Sequence, residues 1–291
     1  MISGTTQLAG FFASPANHSL SPLMHNYAFR ACGIDAVYLA FDIDENRLPA
    51  ALEGIKTMNM LGVNLSMPNK SIVLPYLDEM SQATKLIGAC NTIVHKNGRL
   101  IGHNTDGIGF MRSIYEENVH VIGQKMTILG AGGAAKAIIV QAALDGIAEI
   151  AVYKRKNHTF DKIKHELAVI SEQTGCSICV HDYAQTQQLT RDVEESILLV
   201  NATNIGMGEN VECSPVPTID VFRKELAVAD LIYHPTETKF LKDARENGAK
   251  TINGLGMLLY QGATAFSLWT NEEMPIEEIR PLLIKGENKK L

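Results

Sequence analysis

The sequence has few of the features that mark membrane, secreted or nucleic-acid-binding proteins. None of its apolar runs approaches the roughly 20 residues needed to cross a bilayer. Its first residues lack the basic start and long apolar stretch of a secretory signal. The formal net charge of -6 gives no general attraction to nucleic acid or to anionic membranes. We therefore expect a cytoplasmic protein with neither a nucleic-acid nor a membrane partner.

Cysteines are also few, and most of them are scattered. The five are Cys32, Cys90, Cys176, Cys179 and Cys213. Cys176 and Cys179 form a lone C-x-x-C, with no second pair and no nearby histidine cluster to complete a zinc site. The simpler interpretation is two small residues in a strand. We expect no metal ion and a reducing compartment.

The second half of the chain alternates between strand and helix patterns. An apolar run from Lys125 enters a glycine cluster, a helical pattern then continues to Gly146, and a second apolar run covers residues 149–153. This order predicts a parallel βαβ unit. Further candidate strands cover residues 177–180, 197–200, 228–233 and 250–252. Six strands with helices between them are enough for a doubly wound sheet.

The glycine cluster reads G-x-G-x-x-A over residues 130–135. The first glycine permits a tight turn, the second lets a pyrophosphate approach the backbone, and the last small residue lets the helix pack on the strand. Glycines also mark ordinary turns, but these lie between a strand and a helix. The predicted phosphate-binding residues are Gly130, Ala131, Gly132, Gly133 and Ala134.

The end of the second strand of this unit should select the cofactor. NAD enzymes usually have an acidic residue there, which accepts a hydrogen bond from the ribose 2′-hydroxyl. This chain has Lys154, Arg155, Lys156 and Asn157 instead. The cations favour the 2′-phosphate of NADP, whereas Asn157 can hydrogen-bond a bare ribose. A solvated loop without a ligand is the third interpretation, so NADP and NAD both stay open.

The first hundred residues have an α/β pattern of their own. Candidate strands cover residues 7–12, 37–43 and 61–65. Ser21 as N-cap and Pro22 at the first helical position predict a helix that ends near Gly33. Residues 91–106 resemble a hairpin that turns at Asn97-Gly98. After Gly254 the pattern is helical, and we expect the lysine-rich end to fray.

Four segments of this half carry unusually many polar groups. They are H-S-L-S-P from residue 18, N-L-S-M-P-N-K from residue 64, N-T from residue 91 and N-T-D-G from residue 104. Singly, each has a plain interpretation: Ser21 as an N-cap, Lys70 as a surface lysine, Asn91 as a strand-end amide and Asp106 as the cap of a helix.

Together these segments resemble the shikimate dehydrogenase family. The resemblance continues through the glycine turn, N-A-T-x-x-G at 201–206 and G-x-G-M-L-x-x-Q at 254–261. The S-M-P-N-K spelling is most similar to the quinate/shikimate dehydrogenase branch. The resemblance implies interconversion of shikimate and 3-dehydroshikimate, with hydride transfer at C3 to or from NADP or NAD. Many relatives have Thr at the position of Ser66, and the dual-cofactor branch often has Asp at the position of Asn157.

The resemblance also implies roles for individual residues. Lys70 and Asp106 form the catalytic pair, which supplies the base for alcohol oxidation and the acid for ketone reduction. The implied substrate contacts are Ser19, Ser21, Ser66, Lys70, Asn91, Asp106, Tyr233 and Gln261. Beyond the glycine turn and the cationic loop, the implied cofactor contacts are Thr203, Asn204, Leu231 and Gly254.

We therefore predict an α/β protein of two domains. Residues 1–105, completed by 255–291, form the substrate domain, and residues 106–254 form a Rossmann-type dinucleotide-binding domain. Quinate is the alternative substrate, although retention of both serines favours shikimate. A silent nucleotide-sensing regulator is the alternative of another class, but loss of Lys70 or Asp106 would then be expected. A homodimer is allowed.

Overall fold

The computed structural model describes residues 2–288, and the side chains of residues 2–285. The lysine-rich end at 289–291, which we expected to fray, lies outside this range. Within it the chain divides into two compact units, residues 2–109 with 259–288 and residues 110–258. No helix in the described part of the chain combines the length and the apolar character of a membrane span.

The first unit is built on a mixed six-stranded sheet. Its strands are β1 (Gln7–Ala13), β2 (Ala36–Asp42), β3 (Gly62–Leu65), β4 (Glu79–Met80), β5 (Thr92–Lys96) and β6 (Arg99–His103). Their order is β2-β1-β3-β5-β6-β4. Strand β5 is antiparallel to β3 and β6, and the other neighbours are parallel. The predicted strands of this half are present, whereas the short β4 was not predicted.

Helices pack around this sheet. They are α1 (Ser21–Ala31), α2 (Leu48–Thr57), α3 (Asn69–Ile72), α4 (Gln82–Ile87) and α11 (Ile276–Asn288), and α5 (Asp106–Glu116) and α10 (Leu255–Thr270) each contain a boundary of the unit. Trp269 of α10 donates a hydrogen bond to the Ile93 carbonyl of β5 at 3.0 Å. A Cβ at Gly62 would overlap that carbonyl, so only glycine fits at this approach.

The start of α1 corrects one prediction. We expected Ser21 to be the N-cap and Pro22 the first helical residue, but the helix already includes Ser21. Leu20 occupies the cap position with helical angles of φ -87° and ψ -8°. The backbone N–H of Ser21 therefore needs an acceptor, which is Ser19 Oγ at 3.1 Å. The hairpin turn is as predicted, since Asn97 and Gly98 both have positive φ, 53° and 74°.

The second unit is a parallel six-stranded sheet. Its strands are β7 (Lys125–Leu129), β8 (Glu149–Lys154), β9 (Ser177–Asp182), β10 (Leu198–Asn201), β11 (Ala227–Asp230) and β12 (Lys250–Ile252). The crossover helices are α6 (Gly133–Asp145), α7 (Phe160–Thr174), α8 (Thr186–Glu195) and α9 (Lys239–Glu246). Strands β10 and β11 are buried along their whole length, which explains their near-continuous apolar sequence.

The strand order of this sheet is β12-β11-β10-β7-β8-β9. From β7 the chain first winds outward through β8 and β9, then returns to β10 on the other side of β7. This is the arrangement of a Rossmann-type sheet, in which ligands bind at the carboxyl ends of the strands where the order reverses. The predicted doubly wound architecture is confirmed.

Candidate active site

The four polar segments of the first unit meet at one edge of its sheet. Parallel strands β1 and β3 end together there, with Phe12 opposite Leu65. Because β5 is antiparallel to β3, it begins at this edge, with Thr92 opposite Asn64. Strand β6 returns to the same edge, with His103 opposite Thr92. The sheet thus collects the residues that follow β1, β3 and β6 and those that precede β5.

Backbone hydrogen bonds join these segments. The N–H of Ser14, after β1, donates to the Met67 carbonyl, after β3, at 3.1 Å. The N–H of Leu65 donates to the Asn91 carbonyl at 2.8 Å, and the N–H of Cys90 donates to the Lys70 carbonyl at 2.7 Å. The loop that carries Lys70 is therefore attached on both sides, and its position does not depend on side chains alone.

Lys70 and Asp106 form an ion pair at this edge. Lys70 Nζ lies 2.6 Å from Asp106 Oδ2. Lys70 sits in the single turn of α3, and Asp106 begins α5. The side chains are 31% and 14% exposed, so a small ligand can reach both of them. A cation and a carboxylate in contact, open to a ligand, can exchange a proton with a bound hydroxyl.

Asn91 holds the other oxygen of the Asp106 carboxylate. The backbone N–H of Thr105 donates to Asn91 Oδ1 at 2.8 Å, which fixes that atom as the oxygen of the amide. Asn91 Nδ2 then donates to Asp106 Oδ1 at 2.8 Å. The carboxylate therefore has a separate donor on each oxygen, and its plane is fixed relative to Lys70.

The predicted substrate-binding hydroxyls lie on the segments that meet at this edge. Ser21 is buried and Ser19 half-buried, on the segment after β1. Ser66, half-buried, follows β3, and its N–H donates to the Phe12 carbonyl at 3.1 Å. Gln261 belongs to α10 in the first unit, whereas Tyr233 follows β11 in the second unit. Both are half-buried.

The second unit has a cavity of about 770 Å³ at the carboxyl ends of its strands. Eight predicted cofactor residues line it: Gly130, Ala131, Gly132, Lys154, Arg155, Asn157, Thr203 and Asn204. Five others do not line it: Gly133, Ala134, Lys156, Leu231 and Gly254. Gly254 instead packs against the Leu231 backbone, where an added Cβ would overlap the carbonyl.

The glycine turn has room for a phosphate. Gly130 has φ 108°, and a Cβ there would lie 2.7 Å from the Ala202 carbonyl, so the turn at the end of β7 needs glycine. A Cβ at Gly132 would meet nothing within 4 Å. Gly132 is the N-cap of α6 and gives the helix no side-chain cap. Gly130, Ala131 and Gly132 line the cavity directly before α6, and the free N–H groups at the start of that helix fit a dinucleotide phosphate.

The loop after β8 is organised by Asn157. Asn157 Oδ1 accepts hydrogen bonds from Lys154 Nζ at 2.7 Å and from the N–H and Oγ1 of Thr159 at 3.1 and 2.9 Å. With three donors on Oδ1, Asn157 has its amide nitrogen left to offer to a ribose. Arg155 is the exposed cation of this loop that lines the cavity. This geometry accommodates NADP and NAD alike.

Two domain families and close relatives match the chain. The Shikimate dehydrogenase substrate binding domain matches residues 11–93, and the Shikimate 5'-dehydrogenase C-terminal domain matches residues 254–284. The shikimate dehydrogenase (NADP(+)) of Streptococcus pneumoniae strain CGSP14 is 48% identical over 278 residues, which is 96% of each chain. The chain belongs to the shikimate dehydrogenase family.

Solved structures of similar proteins have the same fold as this chain. The enzyme from Listeria monocytogenes, in complex with shikimate and NAD, is 45% identical with a TM-score of 0.95, over 97% of this chain and 98% of that one. The quinate dehydrogenase of Corynebacterium glutamicum, in complex with NAD, is 27% identical with a TM-score of 0.86, over 96% of this chain and 99% of that one.

The N-A-T segment of the family has a structural explanation here. Asn201, at the end of β10, accepts hydrogen bonds on Oδ1 from the N–H and Oγ1 of Thr203, at 3.1 and 2.7 Å. Its Nδ2 donates to Asp230 Oδ1 at 3.1 Å. Burial raises the pKa of Asp230. Asn201 is thus the residue that holds Thr203 and Asn204 at the cavity.

Several cavity residues were missed from the sequence. They are Tyr153, Thr159, Lys162, Ile163, Glu166, Tyr183, Ala202, Ile205 and Asn210. Lys162, Ile163 and Glu166 lie three, four and seven residues after Thr159, the N-cap of α7, so helical periodicity could have placed these four on one face. Over the described residues, no group of three or more His, Cys, Asp or Glu side chains is placed to hold a metal ion.

Proposed function

We propose that this protein is an NAD(P)-dependent dehydrogenase that interconverts shikimate and 3-dehydroshikimate, with Lys70 and Asp106 as its acid–base pair. The observation that carries the proposal is the 2.6 Å contact between Lys70 Nζ and Asp106 Oδ2, at the edge where the four polar segments meet. The relatives named shikimate dehydrogenase support the substrate, because they match over nearly the whole chain.

The pair performs both directions of the reaction. When the alcohol is oxidised, the Lys70 amine accepts the proton of the C3 hydroxyl as the C3–H bond breaks with its electron pair. When the ketone is reduced, the Lys70 ammonium returns a proton to the same oxygen. Asp106 holds Nζ in place and relays the proton, and Asn91 keeps its carboxylate oriented. The nicotinamide, when bound, accepts or supplies the hydride.

The remaining polar residues bind the substrate. Ser19 and Ser21 bind the carboxylate through their hydroxyls. The ring hydroxyls are held by Ser66, Asn91, Asp106 and Gln261, with help from Tyr233. Support for this assignment comes from the shared sheet edge of the three serines, Asn91 and Asp106.

The two predicted domains divide the ligands. Residues 1–105 with 255–291 provide most of the substrate contacts, and residues 106–254 bind NADP or NAD. The cavity beside the glycine turn supports the second assignment. The predicted phosphate, ribose and nicotinamide contacts, Gly133, Ala134, Lys156, Leu231 and Gly254 included, are part of this proposal. The free thiols of all five cysteines are consistent with a cytoplasmic location.

Quinate is the second candidate substrate. The likeness to the Corynebacterium glutamicum quinate dehydrogenase favours it, and the two serines kept at positions 19 and 21 favour shikimate. The two acids share a carboxylate and ring hydroxyls, so one enzyme can turn over both.

The decisive experiment is a matrix of four assays. Shikimate and quinate are each incubated with NAD⁺ and with NADP⁺, and the absorbance of reduced nicotinamide is followed. Turnover of shikimate with at least one cofactor supports the proposal. The ratios of kcat/KM between the four assays give the preference for shikimate or quinate and the preference for NAD⁺ or NADP⁺. Absence of turnover in all four would refute it and favour the nucleotide-sensing regulator. Light scattering on the same preparation tests for a homodimer.

A further inference from the structure

A chain of buried hydrogen bonds runs behind the ion pair and ends on it. The Tyr38 hydroxyl donates to Asn64 Oδ1 at 2.8 Å. Asn64 Nδ2 lies 3.0 Å from Thr92 Oγ1, and Thr92 Oγ1 lies 3.0 Å from Asn91 Oδ1. Asn91 Nδ2 reaches Asp106 Oδ1 at 2.8 Å. Four residues therefore connect the interior of the first sheet to the Asp106 carboxylate.

The direction of every bond in this chain is fixed. The Thr105 N–H makes Asn91 Oδ1 an acceptor, so the Thr92 hydroxyl donates its proton to it. The Thr92 oxygen is then left to accept from Asn64 Nδ2. Asn64 Oδ1, on the other side of that amide, accepts from Tyr38. Donors and acceptors alternate without conflict from Tyr38 to Asp106.

Burial makes this arrangement rigid. Tyr38 and Thr92 are 0% exposed, and Asn64 is 5% exposed. Water cannot replace a lost partner at such positions, so each unmade bond would leave a costly unpaired group. Burial raises the pKa of Tyr38 well above its usual range, and a hydrogen bond with Ser21 lowers it in part. The phenol therefore keeps its proton and stays a donor.

The tyrosine ring is itself held in place. His25 of α1 stacks on it, with ring centroids 4.5 Å apart and planes 15° apart. Trp269 of α10 packs at 6.0 Å from the same ring. The Tyr38 end of the hydrogen-bond chain is thus anchored in an aromatic cluster, and its other end is the partly exposed Lys70–Asp106 ion pair.

We propose that Tyr38, Asn64 and Thr92 are positioning residues for the reaction: through Asn91 they hold the Asp106 carboxylate in the orientation that Lys70 needs. The inference rests on the proposed function. None of the three is assigned a substrate contact. Asn64 and Thr92 act through the Asn91 amide, whereas Tyr38 also has a hydrogen bond with Ser21.

The first test removes one hydroxyl from the chain. Thr92→Val keeps the shape of the side chain but interrupts the chain between Asn64 and Asn91. We expect kcat to fall about 2- to 13-fold, the usual contribution of one hydrogen bond, with a smaller change in KM for shikimate. The pH profile of kcat should change shape, because the orientation of the carboxylate beside Lys70 is less well fixed. Thr92→Ser restores the hydroxyl and should restore both.

Thr84→Val is the matched control. Thr84 is also 0% exposed and its hydroxyl is also hydrogen-bonded, to Ser81 and to the Gly102 carbonyl, in the same unit. It has no place in the chain, so its kcat and pH profile should equal those of the wild type. Tyr38→Phe removes a second hydroxyl, and combined with Thr92→Val it should cost less than the product of the two single effects.

A readout without turnover separates this inference from the proposed function. In proton–nitrogen correlation spectra, the side-chain amide of Asn91 should shift in Thr92→Val and return in Thr92→Ser, whatever the substrate proves to be. Wild-type turnover of shikimate together with unchanged kcat, pH profile and Asn91 signals in Thr92→Val would overturn the inference alone. An equal loss of kcat in Thr84→Val would also overturn it. If no substrate is turned over, the Asn91 signals decide it.

Discussion

Removing the Lys70 amine should abolish most of the activity and little of the stability. Lys70→Ala eliminates the group of the ion pair that we propose delivers the proton to the substrate ketone. General acid–base catalysis typically contributes 10² to 10⁴-fold. We therefore expect kcat for shikimate to fall by about that factor, or about 3–5 kcal/mol of activation free energy. KM should change much less, because the serines and amides remain.

The structure predicts a much smaller effect on folding. The Lys70 side chain is 31% exposed, and a partly solvated ion pair contributes about 1 kcal/mol or less after screening. Asp106 keeps its hydrogen bond from Asn91 when Lys70 is removed. The free energy of unfolding should therefore fall by about 1 kcal/mol or less, measured by urea denaturation.

Lys56→Ala is the matched control for this comparison. Lys56 is 32% exposed and forms an ion pair with Glu53 at 3.6 Å, in the same unit but on α2. Steady-state assays of both variants and the wild type, at saturating shikimate and cofactor, separate a catalytic role of the lysine from the general effect of losing a partly exposed ion pair. Near-normal turnover in Lys70→Ala, or an equal loss in Lys56→Ala, would refute the assignment of Lys70.

Three further predictions concern pH, the glycine turn and the cofactor. Burial lowers the pKa of His25 from 6.5 to about 3, so the folded state keeps the imidazole neutral. The contribution of this neutral imidazole to the free energy of unfolding is present above pH 6.5 and is lost as pH falls towards 3. The free energy of unfolding, measured with urea, should fall between pH 8 and pH 5 by about 2 kcal/mol less in His25→Phe than in the wild type. Gly130→Ala should lower Tm and weaken nucleotide binding, because φ is 108° and the new Cβ would lie 2.7 Å from the Ala202 carbonyl; calorimetry measures both. Arg155→Gln should lower kcat/KM for NADP⁺ about 10- to 100-fold and for NAD⁺ far less, since only NADP⁺ carries the 2′-phosphate.

Each of these predictions has a control on a comparable residue. His165 is exposed on α7, whereas His25 is buried, so His165→Phe controls for the replacement of a histidine by phenylalanine. Gly175 has φ 76° but open space around it, so Gly175→Ala should cost less stability than Gly130→Ala. Lys156 is a neighbouring exposed cation that does not line the cavity. Lys156→Gln should therefore change the ratio of kcat/KM for NADP⁺ to kcat/KM for NAD⁺ less than Arg155→Gln does. Equal effects in a variant and its control would contradict the corresponding prediction.

Local signals in the sequence predicted most of the elements. Asn97-Gly98 predicted the hairpin because both residues tolerate positive φ. The glycines at 130, 132 and 133 predicted the strand-to-helix turn, where Gly130 has φ 108° and no room for a Cβ. The predicted N-cap of α1 was wrong by one residue. Leu20 occupies the cap position with helical angles, and a leucine side chain gives no sequence signal for a cap.

The inside of the site could not be predicted in the same way. Asn64 and Thr92 are polar residues in strands, and nothing in their spacing shows that they are opposite each other. That pairing depends on β5 being antiparallel to β3. The two strands are far apart in sequence, so their relative direction follows from the topology of the whole sheet. The hydroxyls after β1 were found because a family resemblance named them, whereas the buried chain behind them became visible only with the fold.

The backbone bonds between the Lys70 loop and its neighbours bear on how such a site can change over evolution. Because the N–H of Cys90 and the N–H of Ser14 hold that loop by main-chain contacts, side chains such as Ser66 can be exchanged without moving the lysine. New substrates can then be recruited by single substitutions at the rim, while the proton-transfer pair is inherited unchanged. Substrate range in this fold should therefore vary faster than chemistry.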